Sequence, residues 1–256
     1  MKRLCLAVVA CSVVAASAYK RPAVVTDPAK KAEIERHMGG RVTPPSNGKS
    51  VLLLDTTGKA AQAIAAFKRY DEMVMHIPLT VRSGVFEGGT PYAVAQKAKS
   101  DQTPCVIIFH EQKEEPGLAV YPEEAIACIN VTKYAGGDAE VFENRLQKEV
   151  FRAFGMALGG YQIPRMACVM EPAYSVAALD AIRCTTLAPI RFNGILKSAG
   201  QLNVPILRPV PYVTAVREGW APAPTNEYQK AIWEKVKADK ERGPTNPITI
   251  KPPSKK

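Results

Sequence analysis

The chain has 256 residues, with 34 Lys and Arg against 24 Asp and Glu, and 46% of it is hydrophobic. This composition excludes wholesale disorder, and the length holds one domain of average to large size, or one domain with a tail, rather than two full domains. The formal charge of +10 bears on association with anionic partners and not on fold; no interleaving of basic and aromatic residues points to nucleic acid.

Lys2 and Arg3 precede an uncharged run over residues 4–16, and Ala16 and Ala18 put small residues where a signal peptidase reads. The run falls short of the roughly 20 residues that a membrane-crossing helix needs, and no other stretch is long and apolar enough, so the chain is not expected to be transmembrane. The expectation is an exported protein, periplasmic or secreted, cleaved after Ala18 and beginning at Tyr19. Val8-Val9-Ala10-Cys11 resembles a lipobox, which makes lipidation of Cys11 the alternative. Removing residues 1–18 takes away two basic residues and no acid, so the charge falls from +10 to +8. It also leaves Cys105, Cys128, Cys168 and Cys184. In an oxidising compartment these allow one or two disulfides, with the pairing open.

Residues 19–50 read as an N-terminal arm, with a short helix over 28–37 ended by Gly39-Gly40 and a turn cluster over 44–48. Ordered structure is expected from Val51. Val51-Leu52-Leu53-Leu54 reads as a buried strand, 59–69 as a helix and 73–80 as the next strand, a unit that implies a parallel pair. A second helix is expected over 91–99 and the strongest strand over 105–109. Two more strands follow at 118–121 and 125–131, with Pro122-Glu123-Glu124 between them. The best helix spans 138–158: Phe142, Leu146, Val150, Ala153, Phe154 and Ala157 recur every three or four residues. Asp138 stands at its N-cap and Gly159-Gly160 at its end. Weaker helices are expected at 175–183 and 191–198. The segment 205–243 is rich in Pro and carries a late helix over 226–242. Residues 244–256 read as a disordered tail. The fold class is α/β, a layered domain over 51–204 built on a mixed sheet.

Several motifs fail. Asp55-Thr56-Thr57-Gly58 carries one Thr too many for an aspartic-protease loop. Gly58-Lys59 lacks the upstream glycine and the following Ser or Thr of a phosphate-binding loop. His37, His76 and His110 are the only histidines, and no two are spaced to share a metal on one helical turn.

One segment is specific. Lys148-Glu149-Val150-Phe151-Arg152-Ala153-Phe154-Gly155, with Cys168-Val169-Met170 further on, resembles the zinc helix and Met-turn of the metzincin metallopeptidases, and the archaemetzincin branch most closely. In that pattern two histidines at i and i+4 share a zinc ion, the Glu beside the first activates the zinc-bound water, and the Gly lets a third His reach the metal. The resemblance covers roughly residues 51–200 and implies a metzincin-like layered fold. It puts Glu149 at the general-base position, and Cys168 and Met170 in the Met-turn.

The departures are at the metal ligands. Lys148, Arg152 and Leu158 stand where the three histidines belong. The spacing to Cys168 is longer than in the family. Cys184 lacks a Cys-x-x-Cys partner, so the family's cysteine-rich second metal site is not reproduced. Two cations cannot hold a dication, and neither a metal nor another cofactor is expected. The leading expectation is an exported pseudopeptidase. It would bind a peptide or anionic ligand in the former cleft, lined by Lys148, Glu149 and Arg152, with an extended peptide pairing along 118–131. The competing reading of those three residues is a solvated helix face. Two alternatives for the whole protein are a hydrolase that uses Glu149 with Glu143 or a distant His, and a structural protein held by charge to anionic envelope polymers.

Overall fold

The computed structural model describes residues 27–162 and 168–241. The signal segment, its cleavage after Ala18, Cys11 and the tail over 244–256 lie outside those residues. The first elements are helix α1 (Pro28–His37) and the two-residue strand β1 (Arg41–Val42). Order therefore begins before Val51, because β1 has a partner far along the chain.

The apolar runs make the centre of a five-stranded sheet. It comprises β2 (Val51–Asp55), β3 (Leu79–Ser83), β4 (Cys105–His110), β5 (Leu118–Tyr121) and β6 (Ile126–Asn130), in the order β3-β2-β4-β6-β5. The first four in that order are parallel, and β5 joins β6 antiparallel at the edge. Every residue of β2, β4 and β6 is buried, as expected of strands covered on both faces. On one face, Val51, Leu53, Cys105, Ile107, Phe109, Ala127 and Ile129 pack under α2 (Ala61–Val74) and α4 (Ala139–Ala157). On the other, Leu52, Leu54, Val106, Ile108, Ile126 and Cys128 pack under α3 (Pro91–Ala98). The mixed α/β layering is the one the sequence predicts.

Two expectations need correction. The predicted strand over 73–80 is not formed as such: α2 runs on to Val74, and β3 begins only at Leu79. Between them the Asp71 carbonyl accepts the Met75 and His76 amides, and Asp71 Oδ1 accepts the Ile77 amide at 3.2 Å. Met75 and Ile77 are therefore buried in a tight turn, where their spacing imitates strand alternation. The second correction lies in the Pro-rich segment. Beyond α5 (Val176–Ala181) and α6 (Phe192–Gln201), strand β7 (Val210–Pro211) is followed by an unanticipated helix, α7 (Tyr212–Glu218), before α8 (Glu227–Glu241). Pro211 immediately precedes α7, at an end where proline is tolerated. Strand β7 pairs antiparallel with β1, and Tyr212, Val216 and Val236 form a small separate core. Among the described residues no helix is long and apolar enough to cross a membrane.

The failed motifs have structural roles. Asp55 Oδ1 accepts the Thr57 and Gly58 amides at 2.9 and 3.0 Å, so it holds the turn into α2. His110 accepts the Gln112 amide on Nδ1, and burial pushes its pKa down to about 4.

Candidate functional site

Helix α4 starts where Asp138 Oδ1 accepts the Val141 amide at 2.9 Å. It ends where Gly159, at φ +73°, turns the chain and the Gly160 amide returns to the Gly155 carbonyl at 2.8 Å. Its apolar stripe lies on the sheet. Its last turns carry Lys148, Glu149 and Arg152, and the solvated reading fails there: these residues are only 4%, 3% and 1% exposed. Charges so buried need compensation.

The compensation separates the three. Lys148 Nζ donates to the Leu179 carbonyl at 3.0 Å, and burial lowers its pKa. It points toward α5 and does not line the adjoining cavity, which corrects the expectation that it would. Arg152 turns the other way. Its Nη1 donates to the Val169 carbonyl at 3.0 Å and to the Glu171 carbonyl. Its Nε lies 3.2 Å from Glu149 Oε1, three positions earlier on the helix, but the N–H is not aligned for a hydrogen bond. Glu149 Oε2 is buried and has no partner among the described residues. Burial pushes the Glu149 carboxyl up to about 7, against the pull of the Arg152 guanidinium.

The carbonyls that hold Arg152 belong to the turn around Cys168, Val169 and Met170, and all three residues are buried. This turn lies under α4. A Cβ on Gly155 would come within 2.9 Å of Met170 Sδ and 3.2 Å of Leu187. The turn is strapped to the next segment: the Val169 amide donates to the Thr186 carbonyl, and the Ala188 amide meets Cys168 Sγ at 3.1 Å. Cys184 Sγ also approaches the Thr186 carbonyl. All four cysteines of the described residues are free thiols. Cys105 and Cys128 lie in clusters on opposite faces of the sheet, so they are not positioned to pair.

Glu149 and Arg152 open onto a cavity of about 600 Å³. One wall is Gly117, Leu118 and Val120, at and beside the edge strand β5; the opposite wall is the segment from Ala173 to Val176, with Leu179 of α5. Lys133 and Tyr134 complete it from a short 3-10 turn between β6 and α4. The Tyr134 hydroxyl is held un-ionised by burial and by the Glu149 charge, with Arg152 opposing. The sequence reading named 118–131 as the strand for a ligand but missed Lys133, Tyr134 and the segment from Ala173 to Leu179, and nothing in their local pattern marks them.

The other candidates fall outside the cavity. Glu143 faces the Ala63 backbone of α2, where burial raises its pKa. Neither it nor His37, His76 or His110 lines the cavity, so the proposed pairing of Glu149 with one of them is not assembled. Leu158 is 1% exposed and belongs to the core. The donor set does not fit zinc: Lys148 and Arg152 are engaged with carbonyls, and Leu158 has no ligand atom. Among the described residues no three His, Cys, Asp or Glu side chains gather as metal ligands.

No protein-family model matches the chain, and no curated protein matches it. Among solved structures it is similar to an archaemetzincin from Methanopyrus kandleri, at 14% identity and a TM-score of 0.49, over 61% of this chain and 98% of that one. It is similar to an archaemetzincin from Archaeoglobus fulgidus, complexed with malonate, at 12% identity and a TM-score of 0.43, over 57% and 99%. It is also similar to a zinc-dependent peptidase from Methanocorpusculum labreanum, at 11% identity and a TM-score of 0.41, over 57% and 100%. At these identities and scores the chemistry of the site rests on its own residues.

Proposed function

We propose that the protein is an exported, metzincin-like pseudopeptidase that binds an extended peptide between β5 and the C-terminal half of α4. One observation carries this reading. The cavity lies between an edge strand and the helix that carries Glu149 and Arg152, while the three residues at the metal-ligand positions are Lys148, Arg152 and Leu158, which cannot ligate zinc. An edge strand offers unpaired backbone groups to a ligand chain. Hydrolysis of a peptide through a zinc-bound water needs ligands that are absent here, so the cleft is left with binding. Export rests on Lys2, Arg3 and the uncharged run up to Ala18.

The test is peptide binding by the purified mature chain, followed by fluorescence anisotropy with pooled random peptides, beside elemental analysis after dialysis. The expected result is saturable binding with less than about a tenth of an equivalent of zinc. Ala173→Trp, which fills the cavity from a partly exposed position, is expected to weaken binding about tenfold, the scale of one lost apolar contact area, with the melting temperature held. Stoichiometric zinc, or binding indifferent to Ala173→Trp, overturns the reading.

A second reading has one observation in its favour: a carboxyl with a pKa near 7 beside a cation is suited to general-base work. It requires turnover on peptide or ester panels that is lost in Glu149→Gln.

A further inference from the structure

The cavity's charges are unequal, and its one acid is unfinished. Arg152 and Lys133 line it as cations, and among the described residues Glu149 is the only acidic side chain in the lining. Beyond the lining, Asp180 on α5 is held by both Arg145 Nε at 2.8 Å and Arg145 Nη2 at 2.6 Å. The described lining residues therefore carry net positive charge whether or not Glu149 is ionised, and an anion is the ligand they favour. Glu149 is among the lining residues, and its Oε2, in a side chain 3% exposed, is buried without a partner among the described residues. Buried polar atoms seldom stay unpaired, and an unpaired carboxyl oxygen on a residue that lines a cavity calls for a proton or a ligand atom. The flanking wall at Gly117, Leu118 and Val120 is strand edge, which suits the extended end of a chain rather than its middle crossing a charged pocket.

We propose that this cavity takes the free C-terminal carboxylate of a peptide laid along β5, and that a proton enters the site with it. The inference rests on the peptide-binding reading above and adds the end of the chain that is recognised. The carboxylate lies between Arg152 and Lys133, and protonated Glu149 donates to one of its oxygens. No bond is made or broken; one proton moves from solvent to Glu149. The titratable groups facing Glu149 are Arg152 on its own helix and Tyr134 from the preceding turn, with Lys133 and Tyr174 at the mouth; β5 contributes only apolar Leu118 and Val120 to this wall. An incoming anion replaces solvent beside Glu149 and opposes its ionisation, so the ligand and the proton favour each other.

The experiment is isothermal titration of the full mature chain with two pools of random N-acetylated hexapeptides, one ending in a free carboxylate and the other in a carboxamide, at pH 6 and pH 8. The acid pool is expected to bind at least about tenfold tighter than the amide pool at pH 6, and its affinity to fall about tenfold by pH 8, as a group titrating near 7 passes from mostly protonated to mostly ionised. Proton uptake at pH 7, read from buffers of different ionisation heat, accompanies binding. Lys133→Ala, at an exposed position, is expected to weaken the acid pool several-fold more than the amide pool. Glu149→Gln is expected to abolish the pH dependence. Equal affinity for the two pools overturns the carboxylate inference while leaving peptide binding standing. Absence of binding by either pool overturns the peptide reading itself. Affinity that rises with pH assigns the site to an amine and overturns the inference, and acetate competing as well as the acid pool overturns its peptide part.

Discussion

Helix α4 carries two arginines, Arg145 and Arg152, two turns apart, and the protein treats them differently. Arg145 sits at the rim and is fully used: a two-pronged pair with Asp180, plus the Tyr134 and Gly136 carbonyls at 3.1 and 2.7 Å. Arg152 is 1% exposed. It has two carbonyls on one nitrogen and a carboxylate that it meets out of line, and that carboxylate keeps an oxygen unpaired. If structure were the only demand, the deeper site would be the better satisfied, since its desolvation penalty is larger. The reverse holds. The rim pair ties α4 to α5, and the buried pair is left open toward a cavity.

The sharpest way to break this comparison is to truncate each arginine. Arg152→Ala is expected to cost about 3–5 kcal/mol, because it strands the Glu149 charge and two carbonyls in the interior. Arg145→Ala is expected to cost roughly 1–2 kcal/mol, since Asp180 recovers water. Denaturant unfolding measures both, and equal costs would remove the distinction.

The next effect is one of pH. The Glu149 carboxyl is raised from its ordinary 4.5 to about 7. Below pH 4.5 the folded and unfolded states are both protonated there, and the full contribution is present. Between 4.5 and 7 the unfolded chain loses the proton while the folded one keeps it, so stability falls with rising pH and levels off above 7. Glu149→Gln lacks this slope. Relative to wild type it is expected to gain up to roughly 3 kcal/mol between pH 4.5 and pH 8. Asp71, also raised to about 7 by burial, slopes alike in both proteins and cancels from the difference.

The smallest effect concerns the turn that supplies Arg152 with carbonyls. Gly155→Ala presses on Met170 and Leu187 and is expected to cost about 1–2 kcal/mol net of the helix preference of alanine. Met170→Ala removes that contact at the cost of a cavity of its own, so thermal melts of the two single variants and the double should show a loss smaller than the sum of the two.

The sheet and α4 were legible because each repeats a period: unbroken apolar runs for β2, β4 and β6, and threes and fours for α4. The turn after α2 was not, because Met75 and Ile77 alternate as a strand would while the Asp71 carbonyl and carboxyl bend the backbone. At the site, Glu149, Arg152, Gly155 and Met170 stood out by spacing. Their burial did not, since three charged residues in five positions read as surface. Nor did the opposite wall, because Tyr134 and the stretch from Ala173 to Val176 acquire meaning only when α4 brings them together.

Strand β1 is completed by β7. Arg41 pairs with Pro211 and Val42 with Val210, while Gln229 Nε2 donates to the Gly39 carbonyl at 2.8 Å. Gly39 is packed so closely against Ile232 and Tyr212 that a Cβ would lie 3.0 Å from each. An early segment is thus held by residues made well over a hundred positions later, and closing so long a loop is slow. A ribosome must deliver the chain through Pro211 before this clasp can shut, so a chain interrupted before Val210 emerges with Arg41 and Val42 unpaired.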